Sequence, residues 1–276
     1  MAHATLGAIG KSGPDPIITR GAINVVYSLV ALPFVAFVFP LPTVEVFTVI
    51  AAAYFTHLVY EWFQARSYTI GAFTLVYPIA RGIGPLAIAV ASLFIFSESL
   101  ESVQWIGLFL LCGSIFLFAY ANYRHAVRVD EPTENLKGAI RAAVFCGLMI
   151  AVYTLVDAYG IRLSQNPLGF LFWIFFVGGF GFPLVAWRHW KRLELKPDTT
   201  GLWPRAVAGA AAAYLSFGSL MLATRLGSVT ETAAIRETSI IFATAIGIFF
   251  FRERVTWIAV ALVVLIALGA TLVKTG

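Results

Sequence analysis

The sequence predicts an all-α integral membrane protein, a helical bundle of nine full spans plus an N-terminal partial span, arranged as two inverted five-helix repeats. The first observation is composition. Of 276 residues, 60% are hydrophobic and 12% are charged, which is too little polar surface for a soluble domain of this length. The second is that apolar runs of about 20 residues, enough to cross a bilayer, recur along the chain. The third is that an arginine-containing apolar segment occurs in both halves.

Nine complete spans are predicted from the positions of the apolar runs. They lie at 21–39, 45–65, 70–97, 103–122, 138–160, 167–188, 203–224, 228–251 and 255–273. The apolar segment before Lys11 is too short to cross a bilayer, and we interpret it as the end of a partial span. The polar stretch 122–137 separates two domains, 1–125 and 137–276, and each is expected to be a five-helix unit.

The basic residues predict the orientation of the chain. Most of the 19 Lys and Arg residues, including Arg20 just before the second span, fall on the side of the 122–137 and 188–200 loops. Basic loops stay in the cytoplasm, so both loops are predicted to be cytoplasmic and both chain ends to face the other side. The expected location is the bacterial inner membrane, as a multi-pass protein with membrane lipids as partners. No nucleic-acid partner is expected, because lipid headgroups account for basic residues at span ends.

The two halves are predicted to be copies of each other. When Arg81 is aligned with Arg236, Glu98 falls on Glu253 at the same offset. Such matches are unexpected in apolar helices, because a charge inside a bilayer costs about 3 kcal/mol or more by insertion scales. Five spans is an odd number, so the second copy enters the membrane from the opposite side, as in many secondary transporters.

Several motifs carry a resemblance to a known family. They are Lys-Ser-Gly-Pro-Asp-Pro at 11–16, Pro85 in the fourth span, Glu98 and Glu253 at the ends of the fourth and ninth spans, and Gly107 and Gly269 in the spans that follow. Together they resemble the drug/metabolite transporter superfamily, specifically its EamA-type ten-helix carriers, over essentially the whole chain. The resemblance implies a ten-helix transporter, although family members have a complete first helix and usually have cytoplasmic termini.

Two arginines inside apolar spans are the leading candidates for a substrate site. Arg81 and Arg236 lie too deep for comfortable snorkelling, and the repeat places them opposite each other near the midplane. Two guanidinium groups there would repel each other unless an anion lay between them, and their planar donors suit a carboxylate or phosphate. We therefore predict that they hold an anionic or zwitterionic substrate. The alternative is that each arginine pairs permanently with a nearby Glu or Asp.

A polar stripe on the third span adds further candidates for substrate binding. Tyr54, His57 and Glu61 are spaced by three and four residues, so they share one helical face. Such a stripe must face the bundle interior, where it contacts substrate or relays protons; an internal hydrogen-bond network is the alternative. Asp157 in the sixth span is a candidate partner for an arginine or a proton carrier.

The residues that follow the two arginines are assigned to the same site. Gly82, Gly84 and Pro85 are predicted to break the fourth span, because proline frees a backbone carbonyl. A broken helix beside a buried charge is typical of a transport site, and a tolerated kink is the alternative. After Arg236, the candidates are Glu237, whose side chain diverges from the arginine by about 100° and need not pair with it, and the hydroxyl residues Thr238 and Ser239.

The function that these observations favour is alternating-access transport of a small polar metabolite, most simply an amino acid or an organic anion, by a secondary carrier. The alternatives are an intramembrane enzyme acting on lipid-linked substrates and a non-transporting truncated remnant. The sequence shows no metal-ligand cluster and no phosphate-binding glycine loop, so no enzyme activity and no cofactor are expected. Proton coupling through Glu61 or Asp157 is a further hypothesis, and a homodimer is left open.

Overall fold

The structure is a computed structural model that describes residues 1–128, 133–252 and 257–276. The described residues form a bundle of helices and contain no β-strand. The helices of the first half are α1 (Ala2–Ser12), α2 (Pro16–Phe37), α3 (Val44–Ile70), α4 (Phe73–Gly82), α5 (Gly84–Ile95) and α6 (Ser102–Arg128). Those of the second half are α7 (Thr133–Leu163), α8 (Pro167–Arg192), α9 (Leu202–Ala213), α10 (Ser219–Leu226), α11 (Val229–Glu237), α12 (Ser239–Phe249) and α13 (Trp257–Thr275). A π-helical turn, Tyr214–Gly218, joins α9 to α10.

Eight stretches of the described chain are long and apolar enough to cross a membrane, and each overlaps a predicted span. They are Pro16–Phe37, Val44–Ile70, Leu75–Ile95, Ser102–Ala121, Leu136–Leu163, Pro167–Arg192, Leu202–Leu226 and Val229–Phe249. The last predicted span, 255–273, begins outside the described residues, and its described part is the shorter apolar helix Val260–Thr275. The prediction of an all-α integral membrane bundle is confirmed. The division into nine full spans and two inverted repeats stays a prediction.

Helix α2 begins earlier than predicted, and this moves a charge into the bundle. Asp15 caps the helix, since its Oδ1 accepts hydrogen bonds from the backbone N–H groups of Ile17 at 2.8 Å and Ile18 at 3.0 Å. Pro16 occupies the first position, where no backbone donor is needed. Arg20 therefore lies inside the helix and is only 6% exposed. Its interpretation as a loop charge was wrong, because the span was placed by apolar runs alone.

The most extensive helix contacts pair α2 with α8, α3 with α7 and α6 with α13. The α6–α13 contact brings backbone against backbone at two glycines. A Cβ on Gly107 would lie 2.8 Å from the carbonyl oxygen of Gly269, and a Cβ on Gly269 would lie 2.8 Å from the carbonyl oxygen of Gly107. Small residues at such crossings let membrane helices approach closely, which strengthens their van der Waals packing.

Irregular backbone recurs in the register of the predicted repeat. The helix break between α4 and α5 falls at Ile83, and the break between α11 and α12 falls at Thr238, which aligns with Ile83. Two non-glycine residues of the described chain have left-handed backbone, each with φ of 54°, and these are the aligned residues Ser97 and Arg252. Left-handed backbone is uncommon outside glycine, so its recurrence at matched positions supports a shared local structure at the two span ends.

Candidate functional site

The break between α4 and α5 places a buried arginine at a helix end. Helix α4 ends at Gly82, Ile83 lies between the helices, and α5 begins at Gly84. Pro85 stands in the first turn of α5, where its lack of an N–H group removes the hydrogen bond to the carbonyl of Arg81, four residues earlier. Arg81 therefore lies beside an interruption in the span.

The break between α11 and α12 lies at the position in the second half that aligns with the first break, but its residues differ. Helix α11 ends at Glu237 and α12 begins at Ser239, with no proline nearby. The Oγ1 of Thr238 donates to the carbonyl oxygen of Ile235 at 2.7 Å, so this hydroxyl bonds to its own helix. Arg236 and Glu237 thus occupy the last turn of a broken span, opposite the end of α4.

Glu237 lies between the two arginines. Its Oε2 is 3.2 Å from Nε of Arg81, and its Oε1 is 3.5 Å from Nε of Arg236. Arg236 also donates from Nη1 to Oγ1 of Thr154 on α7 at 3.2 Å. Arg81 is 2% exposed and Glu237 is 0% exposed. Two buried guanidinium groups therefore share one carboxylate.

This cluster leaves many of its polar atoms unsatisfied. All three nitrogens of Arg81, and Nε and Nη2 of Arg236, are buried and make no hydrogen bond. Both carboxylate oxygens of Glu237 are in ion-pair range of the arginines without hydrogen-bond alignment. Buried polar groups are normally hydrogen-bonded. Free donors in this cluster therefore indicate either an unfavourable electrostatic arrangement or a site that binds another polar group.

In a second charged group, on α2 and α3, both oxygens of the carboxylate are hydrogen-bonded. The Nη2 of Arg20 donates to Oε1 of Glu61 at 2.7 Å, and Nδ2 of Asn24 donates to Oε2 of Glu61 at 2.7 Å. The hydroxyl of Tyr27 approaches Glu61 Oε1 at 3.5 Å. Each oxygen of the Glu61 carboxylate thus has a short partner, as a buried ion pair requires.

Sequence reasoning missed the α2 side of this group, although a signal was present. Asp15 followed by Pro16 is a helix-start pattern, and it places the following residues inside the helix. Arg20, Asn24 and Tyr27 are then spaced by four and three residues, which is one helical face. This stripe mirrors the predicted stripe of α3, and the two stripes meet.

A third group pairs α3 with α7. The Nε2 of His57 lies 2.8 Å from Oδ2 of Asp157. The ring of Tyr153 stacks on the imidazole with a centroid distance of 4.4 Å. Asp157 is 4% exposed, and its Oδ1 is buried without a hydrogen bond. The sequence left Asp157 as the partner of an arginine or as a proton carrier, and its partner in the structure is His57.

The polar stripes of α2 and α3 face a central cavity between α2, α3, α8 and the π-helical turn. Its polar lining residues are Arg20, Tyr27, Tyr54, His57 and Glu61. The cavity volume is about 30 Å³, enough for one or two water molecules and too small for a metabolite. Tyr54 therefore lines the cavity with His57 and Glu61, as their shared helical face predicts.

The remaining candidates lie apart from the cavity. Ser239 is buried, and its Oγ is 2.9 Å from the hydroxyl of Tyr77 on α4, so it ties the two broken spans together. A residue that the sequence did not single out, His3, is buried, with Nδ1 2.6 Å from Oγ of Ser216 in the π-helical turn. Turns of this kind are frequent at functional sites.

A carboxylate at the end of the fourth span caps a helix of the other half. Glu98 accepts hydrogen bonds from the backbone N–H of Val229 at 2.8 Å and the hydroxyl of Ser228 at 2.8 Å, and pairs with Nη2 of Arg162 at 3.1 Å. Burial alone raises the pKa of the Glu98 carboxyl, but the hydrogen bonds it accepts outweigh burial, so this pKa lies below its ordinary value. Its predicted counterpart, Glu253, lies outside the described residues.

We expect Glu98→Gln to lower the free energy of unfolding by about 1–2 kcal/mol at pH 7, because hydrogen bonds to a charged acceptor are lost. A carboxyl whose pKa is lowered by folding contributes stability above its unfolded pKa, and this is lost as pH falls through the folded value. The gap between wild type and variant should therefore narrow as pH falls below the ordinary pKa of about 4.5. Thermal unfolding from pH 7 to pH 3 measures it, with the exposed Glu101→Gln as control; a gap that is as large at pH 3 as at pH 7 would contradict the assignment.

A multi-pass helical bundle with broken spans that hold charges in its interior is the architecture of a membrane transport protein. A family model described as "EamA-like transporter family" matches residues 137–275. The chain belongs to the EamA-like transporter family.

A solved structure titled "Crystal structure of protein" aligns with a TM-score of 0.69 at 14% identity, covering 99% of this chain and 98% of that chain. At this identity the likeness concerns the fold alone. A comparison with curated proteins found no match.

Proposed function

We propose that the chain is a secondary carrier that moves a small carboxylate-bearing metabolite, an amino acid or an organic anion, by alternating access. The observation that carries this proposal is the cluster of Arg81, Glu237 and Arg236. One carboxylate balances two guanidinium groups, so the cluster has a net charge of +1 and free donors. This local positive charge and its free donors suit a bound carboxylate, which would pair with the arginines.

The position of the cluster suits a carrier. It lies where two spans are interrupted, between Gly82 and Gly84 in the first half and at Thr238 in the second. Interrupted spans at the interface of two halves are where transporters bind cargo, because backbone groups and side chains there can change partners.

The small size of the central cavity supports a transport cycle with an occluded step. With about 30 Å³ of space, a metabolite can enter only if helices move apart. Movement of α4 and α11 about their breaks at Ile83 and Thr238 would open a path to the arginines from one side at a time. The proposed location is the bacterial inner membrane, and the proposed assembly is a monomer or a homodimer within lipid.

The experiment is thermal unfolding of the detergent-purified chain with a panel of L-lactate, succinate, L-glutamate, L-alanine and hydrophobic cations. A ligand that binds the folded state raises the apparent Tm by mass action. We expect one or more of the acids and amino acids to raise the Tm of the wild type. In Arg81→Gln this rise should be at least tenfold smaller. In Arg124→Gln, whose side chain is exposed, it should be unchanged. Stabilisation by the hydrophobic cations alone would overturn the proposal.

A further inference from the structure

We propose that His57 and Asp157 form a proton-binding site, and that the carrier takes up one proton with each monoanion it binds and none with a zwitterion. The inference rests on the proposed function, since it assumes that a carboxylate binds between Arg81 and Arg236. Beyond that function, it names the residues that hold the proton and relates the number of protons taken up to the charge of the ligand.

The argument starts from the charges buried among the described residues of the interior. The pair of Arg20 and Glu61 is neutral. The cluster of Arg81, Arg236 and Glu237 has a charge of +1. The pair His57–Asp157 has a charge of −1 when the imidazole is neutral and zero when it is protonated.

The interior without cargo is therefore neutral when His57 is neutral. A monoanion at the arginines brings the total to −1, and a proton on His57 returns it to zero. Uncompensated charge is strongly disfavoured in a low-dielectric membrane interior, so binding of the anion and of the proton must favour each other. A zwitterion adds no net charge and needs no proton.

The geometry links the two sites through one face of α7. Thr154, which accepts the hydrogen bond from Arg236, and Asp157, which pairs with His57, are three residues apart and share that face. The ring of Tyr153 covers the imidazole at 4.4 Å. A carboxylate that draws Arg236 away from Thr154 thus acts on the helix that carries the proton site.

The pair also has the features that a proton site needs. His57 lines the central cavity, which has room for a water molecule beside the imidazole. Asp157 Oδ1 is buried and makes no hydrogen bond, so the carboxylate has capacity for another donor. Glu61 also lines the cavity, but it has no free oxygen, because Arg20 and Asn24 occupy its two oxygens at 2.7 Å each. Of the two groups considered for proton coupling, the structure favours Asp157, with His57 as its partner.

Other titratable and charged groups contact the imidazole, line its cavity or lie close to the residues that do. They are Tyr153 on α7, Arg20 and Tyr27 on α2, His3 on α1, Arg81 on α4, Arg236 and Glu237 on α11, and Tyr54, Tyr60 and Glu61 on α3. Helix α8 contributes uncharged residues to the cavity, including Phe175.

The test counts protons by calorimetry. The heat of binding of L-lactate and L-glutamate, each a monoanion at pH 7, and of zwitterionic L-alanine is measured in buffers of different ionisation enthalpy. The dependence on buffer gives the number of protons taken up per ligand. We expect about one proton for each monoanion and none for alanine. This comparison uses the wild-type chain and does not depend on the folding of a variant.

Two variants assign the proton to residues. Asp157→Asn removes one negative charge, so it should bind lactate without proton uptake. His189→Gln is the matched control, since His189 forms a pair of the same kind with Asp15, 3.0 Å apart, away from the cavity; it should keep the wild-type proton count.

Each outcome decides a separate point. Monoanions that bind without protons, or zwitterions as the only ligands, overturn the inference and leave the proposed function standing. No binding by any acid or amino acid overturns both. Proton uptake that persists in Asp157→Asn, or is lost in His189→Gln, overturns the assignment to His57 and Asp157.

Discussion

Glu237→Gln should lower the free energy of unfolding by about 3–5 kcal/mol, because it leaves two buried guanidinium groups without a carboxylate. In the wild type the two arginines lie 3.2 Å and 3.5 Å from this side chain, and it is fully buried. A substrate carboxylate would then replace the missing charge. The variant should therefore gain more stability from a bound acid than the wild type does.

The measurement is the Tm of the detergent-purified variant with and without the acids that stabilise the wild type. Glu194→Gln, on an exposed residue near the end of α8, is the control and should behave as the wild type. A variant that unfolds at the wild-type temperature without ligand would show that the arginines do not depend on Glu237. Equal stabilisation of both proteins by an acid would place its binding site away from the cluster.

Arg20→Leu should also destabilise by about 3–5 kcal/mol, since it leaves Glu61 charged and buried with only Asn24 and Tyr27 as partners. The double variant Arg20→Leu/Glu61→Leu should recover most of that loss, because replacing a whole buried ion pair by apolar residues is often close to neutral. Thermal unfolding of the two single variants and the double variant gives the coupling energy.

Additive losses in that cycle would contradict the pairing. The ion pair faces the central cavity, so the double variant also distinguishes a role in transport from a role in stability alone. A double variant that is stable but inactive would make Arg20 and Glu61 part of the transport path. A stable and active double variant would limit them to holding α2 against α3.

The sequence predicted the fold well because membrane crossing depends on local composition. A run of about 20 apolar residues is visible without knowing its neighbours, and eight such runs became membrane-length helices. The errors occurred at helix ends. Arg20 was placed outside the second span, because an apolar criterion stops at a charge and gives no weight to a cap such as Asp15.

The candidate site could be predicted only in part. Arg81, Arg236, His57 and Asp157 stand out because a charge in an apolar run is conspicuous. Their partners depend on how each helix is rotated and which helices touch, and apolar runs and residue spacing do not fix either. His57 and Asp157 are 100 positions apart, and no local pattern links them.

Glu237 shows a different limit of sequence reasoning. Glu237 and Arg236 diverge by about 100° around the helix, so the sequence did not require them to pair. In the structure the Glu237 carboxylate lies 3.5 Å from Arg236 and 3.2 Å from Arg81. Long side chains can turn back across such an angle at a helix end, where the next turn is missing. The break after Glu237, between α11 and α12, supplies that end.

The glycine contact between α6 and α13 has a consequence for how motion in this protein can be observed. A Cβ on either Gly107 or Gly269 would lie 2.8 Å from the other's carbonyl oxygen, so the two helices pack backbone against backbone. We expect them to move as one unit, which makes the pair a frame of reference. Distances measured from spectroscopic labels at the far ends of α6 and α13 to labels on α4 or α11 would therefore report movement of the broken spans and not of the frame.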